Sequence, residues 1–246
     1  MSKVLMTLYA VVSYVLFLSV FLLLVAFLAN VASPWTVDRA TTQPWPSAVM
    51  TDLALVALFG VQHSVMARPA FKSWLTRIVP APIERSTFVL AATAVLALIL
   101  WQWQPITTPV VWDVTQPVAA MALNVLFWFG WGVLLLSTFL INHFELFGLR
   151  QIYAHLVDLP AAAQTFRTPL LYRHVRHPIY LGFLIAFWSA PRMTFGHALF
   201  AAAFTAYVLI GIWFEERDLL RHFGDRYRRY RKEVGMLFPS FRKAQR

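Results

Sequence analysis

The chain has 246 residues, of which 59% are hydrophobic, 16% aromatic and only 13% charged. A soluble protein carries about 25% charged residues, so a water-facing globule of this composition would lack polar side chains for its surface. The absence of cysteine excludes disulfides, thiolate nucleophiles and Cys-bound zinc or iron–sulfur clusters, and the net charge of +10 suits a membrane protein facing anionic lipid without calling for nucleic acid.

The first apolar stretch, Val4 to Val31, is 28 residues without a charged side chain. A bilayer core needs about 20 and a signal peptide has a shorter core, so a retained helix is predicted. The second, Ala48 to Met66, carries Asp52 near its start and Gln62, His63 and Ser64 near its end. The third, Ser86 to Gln104, closes with Trp101 and Trp103 in the manner of an interfacial belt. The fourth, Val118 to Ile141, holds Gly130, Gly132 and Ser137, small residues that let helices approach closely.

The fifth, Ile179 to Pro191, has 13 residues. It reaches about 20 Å, short of a ~30 Å core. The sixth, Met193 to Phe214, follows at once, so the last two stretches predict a tight helical hairpin. The expected fold is an all-α polytopic membrane protein. It has about six transmembrane or partly spanning helices and forms one membrane-embedded domain over 1–246.

Lys and Arg in short loops set orientation. Loop 67–85 holds Arg68, Lys72, Arg77 and Arg85, and loop 142–178 holds Arg150, Arg167, Arg173 and Arg176. Loop 105–117 holds no base, and the tail from Arg217 is strongly basic. Basic and neutral pieces alternate, which predicts both termini in the cytoplasm.

Two polar clusters flank the predicted hairpin. The first holds Tyr172, Arg173, His174, Arg176, His177 and Tyr180, with Pro178 suited to a first helical turn. On residue types alone it reads equally as a snorkelling loop. The second begins with Glu215 and Glu216, at the C-terminal side of an apolar run where the helix dipole opposes them. They need cations: Arg217, Arg176, His177, or a cationic ligand. An interfacial ion-pair lattice is the plainer alternative. Beyond them Leu219, Leu220, Phe223, Tyr227 and Tyr230 recur at three-to-four spacing among six basic residues. That is a basic amphipathic helix, bent or broken near Gly224, lying on the cytoplasmic face. No His-x-x-x-His or His-Glu-x-x-His pair occurs, so no metal site is predicted.

Arg176-His177-Pro178-x-Tyr180-x-Gly182, followed by Glu215-Glu216, Leu219, Phe223-Gly224, Tyr227 and Tyr230, resembles the isoprenylcysteine carboxyl methyltransferase superfamily of membrane enzymes. Phe59-Gly60-Val61-Gln62-His63-Ser64 in the front half and Tyr172-Arg173-His174 before the first motif resemble its bacterial branch. That branch contains NnrU-like proteins and methanethiol S-methyltransferases.

The resemblance implies S-adenosyl-L-methionine as cofactor, a small thiol (methanethiol) as substrate, a bacterial inner membrane as location, and a cytoplasm-facing pocket built by 166–241. It implies cofactor contacts from Tyr172, His174, Arg176, His177, Tyr180, Gly182, Glu215, Glu216, Tyr227 and Tyr230. A thiol must lose its proton before attack, and Glu216, His63 and His174 are the candidate bases, with Arg217 placed to hold a carboxylate. The other readings are methylation of an isoprenylcysteine carboxylate or another acceptor, a sterol-reductase-like activity, and an NnrU-like non-enzymatic role. Membrane lipid is the expected surrounding, and no obligatory protein partner is evident.

Overall fold

The computed structural model describes residues 1–31, 34–39, 44–160 and 165–240. Phe241, the last residue of the expected cofactor-binding segment, lies outside them. Among the described residues the chain is all-α apart from one short ribbon. Its helices are α1 (Lys3–Leu28), α2 (Trp45–Met66), α3 (Pro69–Leu75), α4 (Glu84–Gln102), α5 (Pro117–Ile141), α6 (His143–Leu146), α7 (Leu149–Leu156), α8 (Pro178–Trp188), α9 (Phe195–Phe223) and α10 (Asp225–Glu233). The strands are β1 (Val110–Asp113) and β2 (Arg192–Thr194). Among the described residues, α1, α2, α4 with its preceding 3-10 turn, α5 and α9 are long and apolar enough to cross a membrane.

The protein is thus a polytopic membrane protein. Its outer surface explains why: α5 exposes Val118, Met121, Val125, Trp128, Phe129 and Phe139 while burying Phe127, Trp131 and Leu134. A helix apolar all round requires lipid or protein on every side. α8 is shorter than expected at 11 residues, about 16 Å long, and covers roughly half of a hydrocarbon core.

Two compact units divide the chain: Met1–Asp113, His143–Ala163 and Arg192–Ala203 in the first, and Val114–Asn142, Gln164–Pro191 and Phe204–Arg246 in the second. In the first unit α1 packs on α4 and α7, and α2 packs on α4. Ser2 caps α1, its hydroxyl accepting from the Leu5 amide at 3.3 Å. β1 and β2 pair antiparallel, Val110 opposite Thr194 and Asp113 opposite Arg192. The expected sixth stretch opens at Met193 directly after Pro191 and Arg192; Arg192 and Met193 instead lie in β2, and their pairing depends on a partner some 80 residues away, which local pattern does not reveal.

In the second unit α5 packs on α8. The contact is backbone on backbone. A Cβ built on Gly182 would lie 2.7 Å from the Gly130 carbonyl oxygen and from the Leu134 amide nitrogen. One on Gly130 would lie 2.7 Å from the Ala186 nitrogen and the Gly182 oxygen. α8 and the later part of α9 form the expected hairpin: Trp188 donates to Thr205 at 3.0 Å and Phe187 packs against Phe204. Val208, Ile212 and Leu237 bury together against Tyr180, Leu181 and Leu184, which seats the tail against both helices. α9 continues past Phe214, the expected end, to Phe223. Gly224 then adopts a φ of +53°, a region that favours glycine, and α10 starts in a new direction.

Candidate functional site

The second unit brings the two polar clusters together at the open end of the α8–α9 hairpin. Pro178 opens α8 at its first position, after the non-helical residues 175–177. The tail runs alongside it. Val175 and Gly235 form a parallel bridge, the Arg176 amide donates to the Gly235 carbonyl at 2.9 Å, and the His177 amide donates to that of Met236 at 3.2 Å. A Cβ on Gly235 would collide with the Phe238 carbonyl oxygen, so the strap turns as it does only with glycine there.

Glu216 is the centre of the cluster. Arg176 Nε donates to its Oε1 at 2.8 Å, His177 Nε2 lies 3.1 Å from the same oxygen, and Arg231 Nε lies 3.4 Å from Oε2. The Glu216 and Arg176 side chains are only 10% and 9% exposed. The Arg176 fork also reaches the carbonyls of Arg231 and Val234, so one guanidinium ties α9, α10 and the strap. A buried carboxylate needs such company, because an unpaired charge there would cost several kcal/mol.

Glu215 is different. Its side chain is 45% exposed, it accepts from the Tyr180 hydroxyl at 3.0 Å, and His177 Nδ1 lies 3.7 Å away. The His177 ring stacks on Tyr180 with centroids 5.6 Å apart.

Tyrosines line the other side. Tyr230 donates to the Tyr172 carbonyl at 2.5 Å, and Tyr172 donates to that of Ser137 at 3.3 Å. Phe166 packs edge to face with Tyr227 and Tyr230, which are tilted against each other, and Arg226 lies over Phe166. Tyr227 is 1% exposed, and its hydroxyl makes no hydrogen bond among the described residues. Burial pushes all three phenols upward, reinforced at Tyr172 by Glu215 and at Tyr227 by Glu216. Tyr230 is pushed up to about 12 by burial. All three are neutral at physiological pH.

The remaining expected residues sit elsewhere. Gly182 faces the α5 backbone, which fills the space a side chain would take, so its glycine is needed for helix packing. Arg217 stacks over the Trp213 ring at 4.6 Å instead of holding a carboxylate. His174 is exposed and caps the 3-10 turn Leu170–Arg173. His63 belongs to the first unit, its ring edge-on to Phe88 at 4.8 Å. Among the described residues no cluster fits a metal ion. Arg231, Phe166 and the strap carbonyls were not expected. Arg231 follows the buried Tyr227 by four residues, one helical turn, and that spacing was the available signal.

As a set, the cluster offers an exposed carboxylate, guanidiniums, an imidazole and aromatic rings with an unsatisfied hydroxyl. These suit a ligand carrying both charges and a planar ring.

No family model matches the chain, and no solved structure matches it. Curated relatives do. Methanethiol S-methyltransferase of Mycobacterium tuberculosis is 52% identical over 239 residues, covering 97% of this chain and 98% of that protein. Methanethiol S-methyltransferase 1 of Bradyrhizobium diazoefficiens is 51% identical over 232 residues, 94% of this chain and 81% of its own length. Nurim of Sus scrofa is 31% identical over 179 residues, 68% of this chain and 66% of its own.

The apolar spans make this an integral membrane protein, and its relatives place it among membrane methyltransferases. Within that class, the chain belongs to the methanethiol S-methyltransferase family.

Proposed function

We propose that the protein transfers a methyl group from S-adenosyl-L-methionine to methanethiol and releases dimethyl sulfide. The observation that carries this is the cluster of Glu216, Arg176, His177 and Glu215 beside Tyr227 and Tyr230, in a chain half identical to methanethiol S-methyltransferases. The 166–241 segment holds the donor. Glu215, the exposed carboxylate, takes its ammonium; His177 with Arg176 sets the cationic side for its carboxylate. Tyr180, Tyr227 and Tyr230 flank its adenine, and the buried Tyr227 hydroxyl finds a partner there.

The donor supplies a methyl already activated by a positive sulfur. As the new sulfur–carbon bond forms on the acceptor, the old one breaks and its electron pair returns to the donor sulfur. The chain's own tasks are alignment, water exclusion and removal of the thiol proton. Glu216 is held by two guanidiniums and an imidazole, so it anchors the frame. We assign the proton to His174, two residues before Arg176 and outside that frame. The site faces the cytoplasm of a bacterial inner membrane, as the Lys and Arg bias of the loops directs. Lipid surrounds the spans, and the chain needs no protein partner for turnover.

Headspace gas chromatography of membranes given the donor and methanethiol tests the reading. Dimethyl sulfide appears with wild type. A null result, or methyl transfer to a farnesylated cysteine alone, refutes it. His174→Ala shifts the alkaline rise of the rate, whereas an unshifted profile, or the same shift in His63→Ala instead, refutes the base assignment.

A further inference from the structure

Glu216 gives its two oxygens to different partners. Oε1 is shared by Arg176 Nε at 2.8 Å and His177 Nε2 at 3.1 Å, while Oε2 faces Arg231 Nε at 3.4 Å. A carboxylate held through one oxygen can turn about its terminal bond. A guanidinium prefers to grip both oxygens at once. Without Arg231, Glu216 is free to turn toward two-pronged contact with Arg176 and to leave His177. His177 is the link to the exposed carboxylate, because its other nitrogen lies 3.7 Å from Glu215.

We infer that Arg231 is a positioning residue for the donor site: by pinning the outer oxygen of Glu216 it fixes His177, and through His177 the ligand-facing Glu215. This rests on the methyl-transfer reading above. Arg231 touches neither substrate nor donor in this scheme. Its backbone carbonyl accepts from Arg176, and a side-chain substitution leaves that bond in place. The ion pair can therefore be removed alone.

The test compares wild type, Arg231→Ala, Arg231→Lys and the neighbouring Arg229→Ala in detergent. Donor KM and kcat are read from dimethyl sulfide formation and donor Kd from calorimetry. Arg231→Ala raises donor KM and Kd about ten-fold, with kcat within about two-fold of wild type, the signature of a binding contribution. Lys supplies the charge without the planar fork, so Arg231→Lys recovers Kd to within about three-fold of wild type. Arg229→Ala leaves all three constants unchanged. In the Glu216→Gln background the Arg231→Ala effect on Kd disappears. If Arg231→Ala does not fold, Arg231→Gln takes its place. Unchanged donor KM and Kd in an active, folded Arg231 variant overturn the inference alone. An equal loss in Arg229→Ala also overturns it, since general surface charge then explains the effect. A wild type that makes no dimethyl sulfide overturns the assigned reaction, and this inference with it.

Discussion

His177 and Glu216 meet across 39 residues of chain, Nε2 to Oε1 at 3.1 Å, in the second compact unit. The α8–α9 hairpin makes that meeting possible, and Arg176 locks it from the other side.

Glu216→Gln removes the charge that Arg176 and Arg231 share and that the His177 ring bonds. Breaking a buried pair by neutralising one partner costs about 3 kcal/mol, because the other charge stays desolvated. A clear fall in thermal midpoint in detergent and weak donor binding are expected. A Glu216→Gln variant as stable as wild type contradicts this account of the cluster.

Gly182→Ala or Gly130→Ala drives a methyl into the backbone of the facing helix. Overpacking of this kind costs about 1–3 kcal/mol. Gly132, also on α5, has nothing within 4 Å of a built Cβ, and its alanine variant is expected to match wild type. Thermal unfolding of the three variants side by side makes the comparison, and equal losses at all three positions count against the backbone contact.

Tyr230 has its phenol raised to about 12 from an ordinary 10. A raised value means the folded state prefers the neutral ring. The resulting stability is complete below pH 10 and drains away as pH climbs through 12. Tyr230→Phe therefore shows a shallower alkaline loss of stability than wild type. It also loses the bond to Tyr172, costing about 0.5–1.5 kcal/mol at neutral pH. Melting curves across pH 8 to about 12 read both effects.

His143, in the first unit, is buried with Nε2 2.8 Å from the Tyr14 hydroxyl. Burial lowers its proton affinity below the usual 6.5. The neutral ring is the stabilising form, so this contribution is whole above 6.5 and lost as pH falls below it. His143→Gln can still accept from Tyr14 and does not titrate, and it flattens the acid side of the stability profile. An acid limb identical to that of wild type removes His143 as the cause.

Much of this arrangement was legible in the residues themselves. Long apolar runs announced the spans. Gly130 announced a close helix contact, and the motif around Arg176-His177-Pro178 with Glu215-Glu216 marked both arms of the hairpin. What escaped depends on partners distant in sequence. The pairing of β1 with β2 has no local signal. The packing role of Gly182 was not legible until α5 was seen against it. Arg231 was one arginine among many in α10, and only the position of the Glu216 carboxylate separates it from Arg228 and Arg229.

The α5–α8 contact sets how this molecule can drift over generations. Val118, Met121 and Val125 on α5 are mostly exposed, so one greasy residue can replace another there at small cost. Gly130 and Gly182 have no such latitude. Any heavier residue at either would push apart the pair of helices whose inner end carries Arg176 and His177, and random libraries of this chain should come back with those two codons nearly untouched.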